Sequence, residues 1–171
     1  GKYYLIHFIN NIFITYYTFL DVIYTFTEFN NNYQNCIVNY SPTVLTFSLH
    51  LYHTIIYFKK LQFDDWLHHI LMCCVALPLT LLFNPGYLLG YSLFFLTGLP
   101  GGINYLLLFL TRNKIITRMT QKTINTSLNL WIRLPGCISH TTITLLYLIN
   151  NFHDFYLYEI CLIMLITSIV F

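Results

Sequence analysis

The chain has 171 residues, of which 57% are hydrophobic and only 8% are charged, and its formal net charge is +2 at pH 7. A soluble globular domain carries about 25% charged residues. So few charges cannot give a domain of this size a solvated surface, and lipid has to be the solvent for most of its outside. The small net charge argues against a nucleic-acid partner. We therefore expect one polytopic membrane domain over residues 1–171.

The hydrophobic segments predict an all-α membrane protein, a bundle of about six transmembrane helices. A membrane helix needs roughly 20 mostly apolar residues, with about 17–25 tolerated. The predicted spans are about 3–23, 42–59, 65–83, 86–111, 123–148 and 154–171. Turn-forming residues separate several of them, such as Asn84-Pro85-Gly86 and Ser41-Pro42. The sequence stops within the last apolar run, which predicts that it is a fragment of a longer protein.

Basic residues give this bundle an orientation. If the spans alternate, every Lys and Arg outside the spans falls on one side of the membrane. The loops on the other side hold none. The basic residues are Lys2, Lys59, Lys60, Arg112, Lys114, Arg118, Lys122 and, within a span, Arg133. The positive-inside rule then predicts that both termini are cytoplasmic.

The densest group of polar residues opens the third span, at 63–69. If a helix begins at the aspartates, Asp64 and His68 are an i,i+4 pair, and Asp65 lies three and four residues before His68 and His69. A carboxylate beside an imidazole can orient the ring and make it a better base. His68 and His69, with Asp64 and Asp65, are therefore the catalytic candidates if the protein is an enzyme. The alternative is a pair of packed, hydrogen-bonded core histidines.

Further polar residues within the spans are candidates for binding a lipid. A charge inside a span costs about 2.5–3.5 kcal/mol on insertion scales, so Arg133 needs a reason. It either caps backbone carbonyls freed by Pro135 or binds an anionic group. The predicted lipid-binding residues are His50, His53, Asn104, Arg133 and His140.

We predict no resident metal or cofactor. Four histidines and two aspartates are potential ligands. The side chains of the adjacent residues His68 and His69, however, point about 100° apart on a helix, which suits one shared ion poorly.

Helix breakers occur in the middle of three predicted spans. They are Pro78, the run Pro100-Gly101-Gly102, and Pro135-Gly136. Freed backbone groups are tolerated at membrane depth only where protein or a cavity satisfies them. The breaks therefore predict either a central chamber or simple kinks that serve packing.

The order of these motifs over about residues 45–148 resembles the TLC-domain family, which includes ceramide synthases, translocation-associated membrane proteins and lipid-handling relatives. The segment 51–53 resembles the family's early His-containing helix, 64–69 its acidic-then-His-His motif, and 99–104 the polar break of a following span. The segment 131–133 resembles its late aromatic-aliphatic-Arg element. The resemblance implies a location in the endoplasmic reticulum or another endomembrane.

The resemblance also implies functions. His68 and His69 would correspond to the histidines that ceramide synthases need for acyl transfer. Those synthases place acidic residues in the span after the His pair, whereas this chain has none between Tyr87 and Thr111. We therefore expect a multi-pass protein that binds or handles membrane lipids in a TLC-like chamber. One alternative is an N-acyltransferase that uses acyl-CoA as a substrate, and another is a structural subunit of a homo- or hetero-oligomeric membrane complex.

The predicted orientation can be tested by labelling. A single cysteine introduced as Ile116→Cys in a cysteine-free background should react with an impermeant maleimide from the cytosolic side, because residue 116 lies in a basic loop. Labelling from the opposite side alone would contradict the orientation.

Overall fold

The computed structural model describes residues 1–28, 39–82 and 86–150, and within these ranges every regular element is helical. The long helices of this part of the chain are α1 (Lys2–Thr27), α2 (Ser41–Tyr57), α3 (63–82), α4 (Tyr87–Arg112) and α5 (118–150). A 3-10 turn, Phe58–Lys60, follows α2. The prediction of an all-α fold is confirmed for these residues.

Local hydrogen bonds explain where two of the helices begin. The Asp65 carboxylate accepts from the backbone N–H of Gln62 at 3.1 Å, as part of a capping box that starts α3. At the start of α5, the Thr117 hydroxyl accepts from the backbone N–H of Thr120 at 3.1 Å. Because the connections before α3 and α5 are short, α3 lies beside α2 and α5 lies beside α4.

Helices α3, α4 and α5 each contain a π-helical segment just before a proline. The segments are Leu71–Ala76, Phe94–Gly98 and Asn129–Arg133. Each ends two residues before its proline (Pro78, Pro100 or Pro135). Proline has no N–H and its ring clashes with the carbonyl four residues earlier, and a π turn absorbs this mismatch without ending the helix. The predicted breaks are therefore wider turns within continuous helices.

Helix α4 packs along α1 through its glycines. A Cβ added at Gly98 would lie 3.1 Å from the Thr15 hydroxyl, and one at Gly101 would lie 2.9 Å from the Asn11 side-chain nitrogen. Small residues allow two helices to approach this closely. Since α5 packs against the other side of α4, α4 is the central helix of the described bundle.

The polarity of the bundle differs from that of a soluble domain. A small apolar core is formed by Ile14, Leu89 and Leu93, but much of the interior is polar. Buried polar side chains are His7, Asn11, Thr18, Thr25, Thr43, Thr46, His69, Gln121, His140 and Thr144. Large apolar side chains instead lie exposed along the outside, among them Phe13, Phe19, Phe26, Ile55, Ile56, Trp131, Ile138 and Ile149.

The prediction of six transmembrane helices is not supported. Helices α1 to α5 coincide with the first five predicted spans, and the sixth, about 154–171, lies outside the described residues. In the described part, one helix, Tyr87–Arg112, is long and apolar enough to cross a membrane. Asn, Thr, His and Tyr recur along α1 and lower its mean hydropathy, and α2 has only 17 residues. A buried core helix of a soluble protein satisfies the same criteria, so this count alone is weak evidence for a membrane.

Packing of α5 against α4 can be tested at Gly136. A Cβ there would overlap the Phe95 side chain, including its Cβ, which cannot rotate away. Gly136→Ala should therefore destabilise the protein by about 1–3 kcal/mol, the usual cost of overpacking. The measurement is the thermal unfolding midpoint in detergent. Gly102→Ala is the matched control, because its Cβ would meet its nearest atom at an ordinary 3.5 Å. Equal midpoints for the two variants would contradict this packing.

Candidate functional site

A cavity of about 410 Å³ lies among the five helices, and each helix contributes to its wall. The polar residues that line it include Asn11, His50, His68, Asn104, Tyr105 and Arg133. The apolar residues that line it include Leu49, Met72, Leu89, Leu93 and Leu96. Residues from all three π-helical segments reach this wall, so the wide turns of α3, α4 and α5 border the same space.

Two histidines on the cavity wall face each other. Nε2 of His50, on α2, lies 3.2 Å from Nε2 of His68, on α3. His50 Nδ1 donates to the backbone carbonyl of Thr46 at 2.8 Å. Because a carbonyl can only accept, Nδ1 carries the proton, and in the neutral ring Nε2 then presents a lone pair. The backbone of α2 therefore fixes the tautomer of His50.

A second histidine pair lies beside the first. Nε2 of His69 is 3.0 Å from Nδ1 of His53, while Nδ1 of His69 is buried without a hydrogen-bond partner. The Tyr3 hydroxyl lies 3.5 Å from Nε2 of His53. The ring of His7 is 5.9 Å from that of His53, centroid to centroid. Helix α1 thus packs against the histidine group that α2 and α3 form.

The spacing of the histidines along α2 and α3 produces this pairing. His50 and His53 are three residues apart and share one face of α2. The adjacent residues His68 and His69 diverge around α3, so each meets a different histidine of α2. The sequence predicted the four residues individually but not their arrangement in two pairs.

The aspartates lie at the exposed end of α3, near enough for the Asp65 charge to act on His53, His68 and His69. Asp64 and Asp65 are exposed at the start of α3, and the Asp65 carboxylate is engaged by the Gln62 backbone. This hydrogen bond makes Asp65 a helix cap, which is the role that the helix dipole also favours. The role of Asp64 and Asp65 in orienting His68 and His69 stays a prediction.

Asn104 and Arg133 reach the cavity from α4 and α5. The Asn104 carbonyl oxygen accepts from the Gln121 side-chain amide at 3.2 Å. Arg133 donates from Nη1 to the Asn129 side-chain oxygen at 2.9 Å, and its Nε is buried without a hydrogen-bond partner. Arg133 thus lines the cavity with one end of its guanidinium bound to a side chain one turn earlier, and both of its predicted roles remain predictions.

His140, predicted to bind lipid, does not line this cavity. Its ring stacks on that of Tyr91 with 5.9 Å between centroids. It borders a separate, much smaller pocket with Phe95, Gly136 and Cys137. It lies two turns further along α5 than Arg133. It packs between α4 and α5 as a core histidine.

Three residues of the site were missed by the sequence analysis: His7, Asn11 and Tyr105. His7 and Asn11 are both 3% exposed, although they lie in an otherwise apolar helix. Asn11 and Tyr105 line the cavity. A signal was present, because His7, Asn11, Thr18 and Thr25 recur at helical spacing and mark one polar face of α1.

No protein-family model, no curated protein and no solved structure matches this chain. The TLC-domain family resemblance therefore stays a prediction that depends on the motifs alone. Function has to be inferred from the geometry of the cavity and the polarity of the bundle.

Proposed function

We propose that this chain is a multi-pass membrane protein that binds a membrane lipid in the cavity between its helices. The observation that carries the proposal is the polarity of the bundle. Large apolar side chains lie exposed on its exterior, while the cavity inside it is lined by both polar and apolar side chains. A cavity with both kinds of lining suits an amphiphilic ligand.

The exposed surface supports a lipid environment. Soluble monomers rarely expose continuous apolar patches larger than a few hundred Å². Here α1 exposes Phe13, Phe19 and Phe26, which recur along most of its length. In water these side chains would drive aggregation, whereas in lipid they cost nothing. The buried threonines also fit, since Thr18 and Thr46 donate to carbonyls one turn earlier in their own helices.

The size and lining of the cavity support a ligand with a polar head and an aliphatic tail. Its volume of about 410 Å³ is in the lower part of the range of small-molecule sites, about 300–1,000 Å³. It would enclose a headgroup and the start of an acyl chain. Leu49, Leu89 and Leu93 provide apolar contacts for the chain.

Arg133 supports an anionic headgroup. Asn129 holds one end of its guanidinium, and the buried Nε remains available. An arginine can bind a phosphate or carboxylate through two parallel hydrogen bonds. A buried cation in a bundle surrounded by lipid needs such a partner, because an uncompensated charge is costly there.

Acyl transfer is the second candidate function, and the fixed tautomer of His50 favours it. A lone pair on Nε2 of His50 faces His68 on the cavity wall, so His68 could relay a proton from a bound lipid amine or hydroxyl. In this mechanism the general base is the pair of His50 and His68, and no aspartate takes part.

The lipid proposal is tested by mass spectrometry of lipids that copurify with the protein in mild detergent. Arg133→Gln should reduce the bound lipid about tenfold or more, since a hydrogen bond to a charged group contributes about 1.5–3 kcal/mol. Arg118→Gln removes the same charge from an exposed position on α5 and is the matched control. Arg133→Lys should restore part of the binding.

Two other results would contradict the proposal: no stoichiometric lipid on the wild-type protein, or equal losses for Arg133→Gln and Arg118→Gln. Acyltransferase activity is measured in the same preparations with a long-chain acyl-CoA and a sphingoid base. Activity that His68→Ala abolishes would favour the second candidate, and retained lipid without activity would exclude it.

A further inference from the structure

Three of the histidines lie close enough to share one ion. One ring nitrogen each from His50, His68 and His69 lies within 4.8 Å of the others. In a tetrahedral zinc site with Zn–N bonds of about 2.0–2.1 Å, ligand nitrogens are about 3.3 Å apart. The Nε2 atoms of His50 and His68 are already 3.2 Å apart, so small side-chain rotations would complete the geometry.

The hydrogen bonds around these rings are those that a metal site requires. A ligating histidine usually donates its other N–H to a carbonyl, a carboxylate or another acceptor, which fixes the tautomer. His50 donates from Nδ1 to the Thr46 carbonyl, so its Nε2 lone pair is directed toward His68. His69 is 7% exposed and has a buried Nδ1 without a hydrogen-bond partner, while its Nε2 faces His53. His53 would then orient His69 from behind.

We propose that His50, His68 and His69 bind a divalent transition metal of the zinc class, with the fourth coordination position open to the cavity. Three imidazole nitrogens are a ligand set that suits zinc and its neighbours, and not the oxygen-seeking ions Mg²⁺ and Ca²⁺. The divergence of adjacent histidines on a helix does not prevent this site, because the His50 ring lies 5.2 and 5.3 Å, centroid to centroid, from the rings of His68 and His69.

The open position follows from the cavity wall. His50 and His68 both line the cavity, so an ion between them faces the space where the lipid headgroup is proposed to bind. Three neutral imidazoles leave the ion with its full charge of +2. Its fourth ligand should therefore be an anion, either hydroxide or the phosphate or carboxylate of a ligand.

The metal site does not depend on the lipid proposal, and it is tested with the metal alone. The full chain, treated with a chelator in detergent and then titrated with Co²⁺, should show the visible absorption of a tetrahedral cobalt site at about one equivalent per chain. One equivalent of Zn²⁺ should abolish this absorption and raise the thermal unfolding midpoint. Mg²⁺ should do neither.

Variants identify the ligands. His50→Ala and His69→Ala should each lower the affinity for Co²⁺ at least tenfold, the low end of the loss expected for disrupting such a site. His140→Ala is the matched control, because His140 lies in the separate pocket, and it should bind as the wild type does. If a ligand variant does not fold, the wild-type titration still decides the question.

Absence of a stoichiometric cobalt spectrum in the wild-type protein would overturn the metal site, as would an equal loss of affinity in His140→Ala. Arg133→Gln separates this proposal from that of lipid binding. It should keep the cobalt spectrum while it loses copurified lipid.

Discussion

Polar side chains that are surrounded by lipid have to find partners within the protein, and this constraint accounts for much of the bundle. The hydroxyls of buried threonines in α1 and α2 donate hydrogen bonds to backbone carbonyls of their own helices. A histidine can form such a bond with only one ring nitrogen, so the other nitrogen needs a partner on a neighbouring helix. The pairing of His50 with His68 and of His53 with His69 therefore fixes how α2 lies against α3, and Tyr3 and His7 tie α1 to the same group.

The prolines also shape the region around the cavity, by changing the helix backbone. Each of Pro78, Pro100 and Pro135 follows a π-helical segment, where the helix is wider and its backbone less regularly paired. Those three segments border the cavity. The space for a ligand thus arises where helices that glycines bring close together cannot pack tightly over their whole length. His50, His68 and Arg133 contribute polar groups to the lining of that space.

Hydropathy and the polar residues within apolar runs were enough to predict the described helices and four of the residues that line the cavity, His50, His68, Asn104 and Arg133. They were enough because apolar runs and breakers act locally, within one helix. Sequence could not predict that His140 stacks on Tyr91, or that the His50 ring lies about equally far from the rings of His68 and His69. These outcomes depend on the rotation of one helix against another. Asn11 was missed for the opposite reason, since a single asparagine in an apolar helix carries little weight until its neighbours are known.

The central claim is that the exposed apolar face of the bundle contacts lipid while polar side chains are buried inside it. Spin labels at Phe13 and Ile138, both exposed on the outside, test it most directly in a cysteine-free protein reconstituted in bilayers. Power saturation compares their collisions with oxygen, which concentrates in lipid, and with a water-soluble nickel chelate. The account predicts that oxygen relaxes both labels more strongly than the nickel chelate does. Stronger relaxation by the nickel chelate at both positions would contradict it.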